Sequence, residues 1–268
     1  MTTSKTYENR VKARMRAGDY ALGMNIRLSR SADIARIAKT SGHDFLFIDT
    51  QHAIFDIETV AHVAQTAQTI GIEPIVRVRS VNDPDASILL DNGITGIVFP
   101  DVNTVEDARR AVEVARFAPL GRRSVGGSYA QFNFRQVSTN EIMEQLNEAT
   151  LIACMIETSE ALENLEAIAG VPGIDVLHLG SNDLLASMGK PGQFDCPEIA
   201  AAQARVISVA RSRGIFGGCG GNRDVVRQAA AIRAGAQFVT TQTDIAFMLA
   251  AASNWTSGVR KILTDSLE

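Results

Sequence analysis

The chain has few of the cysteines that are typical of disulfide-bonded secreted proteins, zinc-knuckle proteins and redox proteins. It has only three cysteines in 268 residues, Cys154, Cys196 and Cys219, an odd number at wide spacing with no CxxC pair. This pattern argues against a disulfide framework or a zinc knuckle and predicts reduced thiols in a cytoplasmic protein. The N-terminal twenty residues carry charges without an apolar core, so they do not form a signal peptide.

Positive charge and long apolar runs are also lacking. Lysine and arginine together number 26 against 30 acidic residues, which gives a formal net charge of −4. No nucleic-acid partner is therefore expected. No apolar run approaches the roughly 20 residues that a membrane helix needs, so no membrane partner is expected either. With 46% hydrophobic and 21% charged residues, the composition is that of a globular protein.

Eight short apolar runs alternate with longer helical patterns along the chain. The predicted helices are Ser31–Thr40, Asp56–Ile70, Asn103–Ala115, Ser159–Ala169, Glu198–Arg213 and Arg223–Ala234, with a short one at Asn182–Ser187. The runs lack clean alternation, as is typical of parallel strands that are covered on both faces. Glycines close several helical patterns before the next run begins, at a position where the left-handed conformation is needed. The predicted strands are Ala21–Leu28, Phe45–Asp49, Pro74–Val78, Gly96–Pro100, Leu151–Glu157, Asp175–Gly180, Ile215–Cys219 and Gln237–Thr241.

This repeat predicts an α/β protein, a single-domain (β/α)8 TIM barrel over residues 1–268. A helical extension over residues 1–20 precedes the first strand, and a helix over about 244–266 ends the chain. An open doubly wound sheet is the alternative, but GxGxxG is absent after the first strand. Two long loops, 119–134 and 188–197, interrupt the repeat, and long loops in a compact barrel are often functional.

Two acidic residues follow neighbouring strands at the end where barrel enzymes build their active sites. Glu157 follows strand five, and Asp183 follows strand six. Two carboxylates without a matching cysteine or histidine suit a hard divalent cation, Mg²⁺ or Mn²⁺, that keeps open positions for a substrate. The alternative is structural, because either carboxylate could cap a helix or pair with an arginine.

Three more polar side chains fall at strand ends. His52 comes three residues after Asp49, and an acid near an imidazole can fix its tautomer for work as a general base. A hydrogen-bonded histidine in a turn is the alternative. Arg77 lies within an apolar strand, where a guanidinium needs a partner. It is expected to hold a carboxylate or carbonyl oxygen of a substrate, or to pair with Glu157 or Asp183.

Arginines and glycines in loops are less decisive. Arg122 and Arg123 lie in the 119–134 loop, where substrate contact and simple solvation are both open. Arg27, Arg79, Arg122 and Arg123 would favour an anionic substrate if two or more of them point into the site. The segment Gly217–Asn222 could offer backbone amides to an anion or serve close backbone packing.

At these residues the chain resembles the HpcH/HpaI family of metal-dependent (class II) pyruvate aldolases. The resemblance covers about Gly23 to Leu249. Its carriers are FLFIDTQHA (Phe45–Ala53), PIVRV (Pro74–Val78), NDP (Asn82–Pro84), LLDNG (Leu89–Gly93), PLGRRSVGG (Pro119–Gly127), MIETSEALEN (Met155–Asn164) and LGSNDLLASMG (Leu179–Gly189).

The resemblance implies a role for each of these positions. Glu157 and Asp183 would bind Mg²⁺ or Mn²⁺, with Co²⁺ as an alternative. His52 would be the catalytic base with Asp49 as its partner, and Arg77 would polarise the keto oxygen of pyruvate. The substrate-binding set would be Arg77, Arg123 and the segment Gly180, Ser181, Asn182 and Asp183. Asp91 would reach the site of a neighbouring subunit. The implied assembly is a homo-hexamer in which the last helix is exchanged between subunits.

The implied reaction is reversible cleavage of a 4-hydroxy-2-oxo acid to pyruvate, or a close analogue, and an aldehyde. The aldehyde would be anionic if two or more of Arg27, Arg79, Arg122 and Arg123 point into the site. Such an aldehyde-lyase would belong to the catabolism of aromatic compounds. Alternatives are a CoA-thioester lyase of the malyl or citramalyl type, oxaloacetate decarboxylation at the same site, or a metabolite-binding barrel without turnover. No lysine lies at a strand end for a Schiff base. The chain departs from the family at Met155, where glutamine is usual, and at Asn25, where tryptophan is common, so the pocket itself should differ.

Overall fold

A computed structural model describes residues 7–265 and contains a closed barrel of eight parallel strands. Each strand pairs with the next along the chain, and β8 pairs with β1 to close the ring. The predicted (β/α)8 barrel is therefore confirmed. The strands are β1 Ala21–Ile26, β2 Phe45–Asp49, β3 Glu73–Arg77, β4 Gly96–Phe99, β5 Leu151–Ile156, β6 Val176–Gly180, β7 Phe216–Gly220 and β8 Phe238–Thr243.

The helices lie between the strands and differ from the predicted pattern in three places. One predicted helix over 159–169 is broken at Asn164 into α7 and α8, while α4 and α6 were not predicted. The described helices are α1 Arg10–Arg16, α2 Asp33–Thr40, α3 Ile57–Ile70, α4 Ala86–Asp91, α5 Val105–Ala115, α6 Thr139–Ala149, α7 Ser159–Glu163, α8 Leu165–Ala169, α9 Ser181–Ser187, α10 Pro197–Ser212, α11 Val225–Arg233 and α12 Asp244–Asp265.

Local sequence signals fix the helix ends. Thr104 caps α5 in a capping box with Asp107, which satisfies amide groups that the first turn leaves free. Gly71 ends α3 with φ +79°, a left-handed conformation that costs glycine little. The buried face of α3 carries Val60, Val63 and Ala67 at helical spacing.

Helix α1 closes the floor of the barrel, the end opposite the carboxyl ends of the strands. Val11 and Met15 pack with apolar side chains of the barrel interior. The ammonium of Lys12, almost fully buried, lies 2.7 Å from Asp175 and donates to the carbonyl of Glu148. Within the predicted N-terminal extension, the structure describes a helix over Arg10–Arg16, and residues 1–6 lie outside the described part.

Helix α12 is mostly uncovered. Asp244 is its only buried residue, and large apolar side chains such as Phe247, Leu249 and Trp255 are exposed along it. Its bounds agree with the predicted final helix up to residue 265. Among residues 7–265, no helix is long and apolar enough to cross a membrane.

Candidate active site

The carboxyl ends of the strands surround a cavity of about 370 Å³. Five residues predicted to form the site line it, namely His52, Arg77, Gly180, Asn182 and Asp183. The rest of the lining comes from Asn25, Arg27, Phe47, Met155, His178, Gly220, Gly221, Arg223 and Thr240. A neighbouring cavity of about 410 Å³, between the β2–α3 loop and α4, shares His52 with it.

Asp49 joins two arginines at the edge of this cavity. Arg77 donates to both of its carboxylate oxygens, Nε to Oδ1 at 3.0 Å and Nη2 to Oδ2 at 2.7 Å. Arg27 donates to Oδ2 at 2.6 Å. Burial opposes ionisation, but these hydrogen bonds and charges outweigh it and hold the pKa of Asp49 below its usual value. The buried partner that Arg77 requires is therefore Asp49, and neither Glu157 nor Asp183.

The orientation of Arg27 comes from the start of α12. Asp244, which is buried, accepts hydrogen bonds from the backbone amides of Arg27, Leu28 and Ser29. Three amides on one carboxylate hold the loop after β1 in place. The guanidinium of Arg27 thereby stays beside Asp49.

His52 lies at the cavity with its imidazole free of Asp49. Its backbone amide donates to Oδ1 of Asp49 at 3.3 Å, while both oxygens of that carboxylate already accept from guanidinium groups. Partial burial and the charge of Arg77 lower the pKa of His52, and Asp49 and Asp183 oppose that shift. A neutral imidazole near pH 7 can accept a proton. Asp49 thus positions the loop of His52, not the ring as expected.

Glu157 is buried with one carboxylate oxygen unpartnered. Oε1 accepts from the amide of Asp101 at 2.8 Å, whereas Oε2 has no hydrogen-bond partner. A Cβ built on Gly180 would lie 2.6 Å from Oε2, so only glycine leaves room for this carboxylate. Burial, with smaller effects of Asp101 and Asp183, raises the pKa of Glu157 to about 7.

The donor set fits a hard divalent cation. Asp183, in the first turn of α9, lines the cavity and is close enough to Glu157 to affect its pKa. A cation beside Oε2 of Glu157 would satisfy a buried atom that is otherwise costly to leave unpaired. Residues 7–265 contain no cluster of three or more acidic, histidine or cysteine side chains able to hold a metal. Two carboxylates would therefore leave the other coordination positions to non-protein oxygens.

Glycines of β7 and its loop serve close packing. A Cβ on Gly218 would lie 2.7 Å from the carbonyl oxygen of Phe238. Gly221, with φ +82°, lies against the backbone amides of Ser181 and Asn182. Of the two readings of Gly217–Asn222, these contacts favour close packing. Ser181 is buried next to the cavity and does not line it.

The structure does not bring Arg123 to the cavity. Its guanidinium is buried, donates to Asp91 at 2.6 Å and lies over the rings of Phe117 and Tyr129. The expected substrate contact is therefore not seen in the described chain, because burial demands a charged partner that Asp91 already provides.

Two other loop arginines have acidic partners as well. Arg122 pairs with Glu113, and Arg79 pairs with Asp83 and Asp85. Of the four arginines considered for an anionic aldehyde, only Arg27 lines the cavity. The stated condition for that inference is not met.

Sequence reasoning missed three residues that line the cavity. None of the three, which are His178, Thr240 and Arg223, was predicted to be a site residue. A period of two could have found His178, because it precedes Gly180 by two residues on β6 and so faces the same side of the strand. Arg223 follows the glycine-rich segment, where no periodic signal exists.

A (β/α)8 barrel that gathers two carboxylates, a neutral histidine and a paired arginine at its mouth is a barrel enzyme. The sequence matches the HpcH/HpaI aldolase/citrate lyase family over residues 25–250. The chain belongs to this family, and the predicted membership and lyase class are confirmed.

Comparison with known proteins supports this family membership. It is 33% identical to the 4-hydroxy-4-methyl-2-oxoglutarate aldolase of Chaetomium globosum, over 95% of this chain and 96% of that protein. The 2-keto-3-deoxy-L-rhamnonate aldolase of Escherichia coli K12 is 35% identical over 71% of each chain. The crystal structure of an HpcH/HpaI aldolase from Desulfitobacterium hafniense superposes with a TM-score of 0.86 at 29% identity, covering 94% of this chain and 95% of that one.

Proposed function

We propose that the protein is a divalent-metal-dependent aldolase that reversibly cleaves a 4-hydroxy-2-oxo acid to pyruvate, or a close analogue, and an aldehyde. The observation that carries this proposal is the unpartnered, buried Oε2 of Glu157, which faces Gly180 on the side where Asp183 lines the cavity. The names of the relatives support the reaction class, because both are aldolases of hydroxylated 2-oxo acids.

Glu157 and Asp183 would hold the cation, with Mg²⁺ or Mn²⁺ preferred and Co²⁺ as an alternative. When bound, the cation supplies Lewis-acid polarisation of the 2-oxo group. Burial is the main cause that raises the pKa of Glu157 to about 7, so a cation beside Oε2 would favour the charged carboxylate.

Arg77 would stabilise negative charge on the oxo oxygen. Its Nε and Nη2 atoms are committed to Asp49, whereas Nη1 has only a long contact of 3.8 Å with the sulfur of Met155. The fork to Asp49 fixes the guanidinium plane, so the remaining N–H groups need no reorganisation when charge develops. Asp49 would act as the residue that positions Arg77.

His52 would move the proton. Cleavage requires removal of the proton from the 4-hydroxyl and breaking of the C3–C4 bond, whose electron pair passes into the enolate of the 2-oxo acid. Proton transfer to C3 would then give the free 2-oxo acid. The lowered pKa of His52 keeps its ring nitrogen available as an acceptor near neutral pH. In the direction of synthesis the same imidazole would return that proton to the new hydroxyl. The backbone around Gly180, Ser181, Asn182 and Asp183 would receive the substrate carboxylate.

The test uses metal-stripped protein and two readouts. Mn²⁺ binding is measured by calorimetry, and pyruvate release from 4-hydroxy-4-methyl-2-oxoglutarate or 2-keto-3-deoxy-L-rhamnonate is measured with lactate dehydrogenase. We expect no release without metal, recovery with Mg²⁺ or Mn²⁺, and loss of both binding and turnover in Glu157→Gln. Glu106→Gln, at an exposed pair with Arg109, is the control. Full activity without metal would reject the proposal, and cleavage of malyl-CoA alone would favour the thioester lyase.

We further propose that the chain assembles as a homo-hexamer in which α12 is exchanged, and that it acts in the cytoplasm. The exposed apolar side chains of α12 support the first point, because such a surface is costly in water. Sedimentation of the full chain should give six copies, and a monomer at micromolar concentration would contradict this assembly.

A further inference from the structure

The cavity at the barrel mouth reaches one layer deeper than the metal-binding carboxylates require. His178 precedes Gly180 by two residues on β6, so its side chain lies on the same face one step toward the floor. It lines the cavity although it is only 1% exposed. Gly218 and Gly220 of β7 make this possible, because a Cβ on either would lie within 2.8 Å of an imidazole nitrogen.

Two more buried polar side chains line the same deep part. Asn25 on β1 is 7% exposed and Thr240 on β8 is 5% exposed. The hydroxyl of Thr240 and Nε2 of His178 both lie against Gly220, at 2.4 Å and 2.7 Å from the position of its missing Cβ. Oδ1 of Asn25 is buried without a hydrogen-bond partner. His178 has a backbone hydrogen bond with Phe238, so its other ring nitrogen remains for a ligand. An unpaired buried group is costly, so this arrangement indicates a ligand group that pairs with Oδ1 of Asn25.

The chemistry of the three side chains selects a neutral hydroxyl. An amide, an alcohol and an imidazole can donate and accept hydrogen bonds but carry no charge while the imidazole is neutral. Burial and the nearby charge of Arg77 lower the pKa of His178 to about 3, so the ring stays neutral at any physiological pH. A hydroxyl, which both donates and accepts, matches this set without bringing a charge into the barrel.

The position indicates which part of the substrate carries that hydroxyl. On the proposed function, the 2-oxo acid would bind at Glu157, Asp183 and Arg77, and the aldehyde would enter on the side of His52. The 2-oxo acid would then be the fragment next to Asn25, His178 and Thr240, which line the same cavity. Its third carbon, next to the oxo group, would carry a substituent toward them.

We propose, resting on the proposed function, that Asn25, His178 and Thr240 form a polar subsite for a hydroxyl on the third carbon of the 2-oxo acid, so that 3-hydroxypyruvate is bound in preference to an analogue that lacks this hydroxyl. Met155 and Asn25, the two departures noted in the sequence, both line the same cavity. The subsite thus includes one of these departures, Asn25.

The test compares two ligands of equal size on the Mn²⁺-loaded protein. The ligands 3-hydroxypyruvate and 2-oxobutanoate differ only in a hydroxyl against a methyl group. Calorimetry should show the hydroxylated ligand binding about tenfold more tightly, the effect of one or two well-formed hydrogen bonds. Thr240→Val, which removes the hydroxyl at constant shape, should reduce this ratio to about threefold or less, and His178→Phe should do the same. Equal affinities in the wild-type protein would overturn the proposal. Water, not a substrate hydroxyl, would then be the partner of these buried polar groups.

The controls separate this subsite from the aldolase function. His62→Phe removes an exposed histidine on α3 and should keep the wild-type ratio. Turnover of each oxo acid with a common aldehyde is measured alongside binding. A tenfold binding preference without any turnover would refute the proposed function while supporting the subsite. Turnover without a preference for the hydroxyl, or with variants that leave the ratio unchanged, would refute the subsite alone.

Discussion

Replacing Asp49 by asparagine should destabilise the barrel strongly, although the change is nearly isosteric. The carboxylate is fully buried and accepts three hydrogen bonds from guanidinium groups at 2.6 to 3.0 Å, two from Arg77 and one from Arg27. Asparagine keeps one acceptor but turns an N–H₂ group toward donors and leaves Arg77 buried without a counter-charge. Breaking a buried pair in this way costs 3–5 kcal/mol, and since Arg27 retains partial access to water we expect about 3 kcal/mol.

The assay is urea unfolding of metal-free protein at pH 7 and fixed concentration. Glu106→Gln removes an exposed ion pair with Arg109 of similar length, and it should leave the midpoint unchanged. A loss of less than about 1 kcal/mol in Asp49→Asn would show that Arg77 finds another partner. The argument that Asp49 holds Arg77 in its functional orientation would then be refuted.

Two other variants test the site more locally. Gly180→Ala should weaken Mn²⁺ binding at least about tenfold while the protein stays folded, because the new Cβ would lie 2.6 Å from Oε2 of Glu157; unchanged binding by calorimetry would contradict the placement of that carboxylate. His178 has a pKa lowered to about 3 from 6.5, so the folded state excludes a proton that the unfolded chain takes up below pH 6.5. Its contribution is complete above pH 6.5 and falls by about 1.4 kcal/mol per pH unit between 6.5 and 3. Between pH 7 and 5.5, wild-type protein should therefore lose about 1 kcal/mol more stability than His178→Phe in urea unfolding, and parallel losses would show that His178 is not buried neutral.

The sequence predicted the barrel and the position of its site because both follow from chain order. Parallel strands in one ring end at the same mouth, so residues that follow strands, such as Asp49 and Glu157, must meet there. The break at Asn164 and the extra helix α6 were not predictable in this way. The first depends on packing around α7 and α8, and the second lay within a long connection whose capping residue, Ser138, was not weighed.

Which side chains of the site form ion pairs was harder to predict than which residues belong to the site. The partners considered for Arg77 were Glu157 and Asp183, whereas the register of β2 with β3 sets Asp49 directly beside Arg77. Arg123 belongs to the 119–134 loop, where its sequence neighbours do not distinguish substrate contact from a structural role. In the structure its guanidinium is buried against Asp91. His178 required the inward face of β6 to be known, since a histidine within an apolar strand has no charge pattern to identify it.

The two ends of the barrel differ in packing, because the floor is filled by side chains and the mouth is open. At the floor, Val11 and Met15 of α1 form a dry seal, and the buried Lys12 is held by Asp175. At the mouth, the wall of β6 to β8 is built from glycines and polar groups that leave open space. Variation introduced into α1 should therefore change how long the protein survives heating, whereas variation along that wall should change which molecules it accepts. Engineering for durability and engineering for selectivity can proceed on separate parts of this fold.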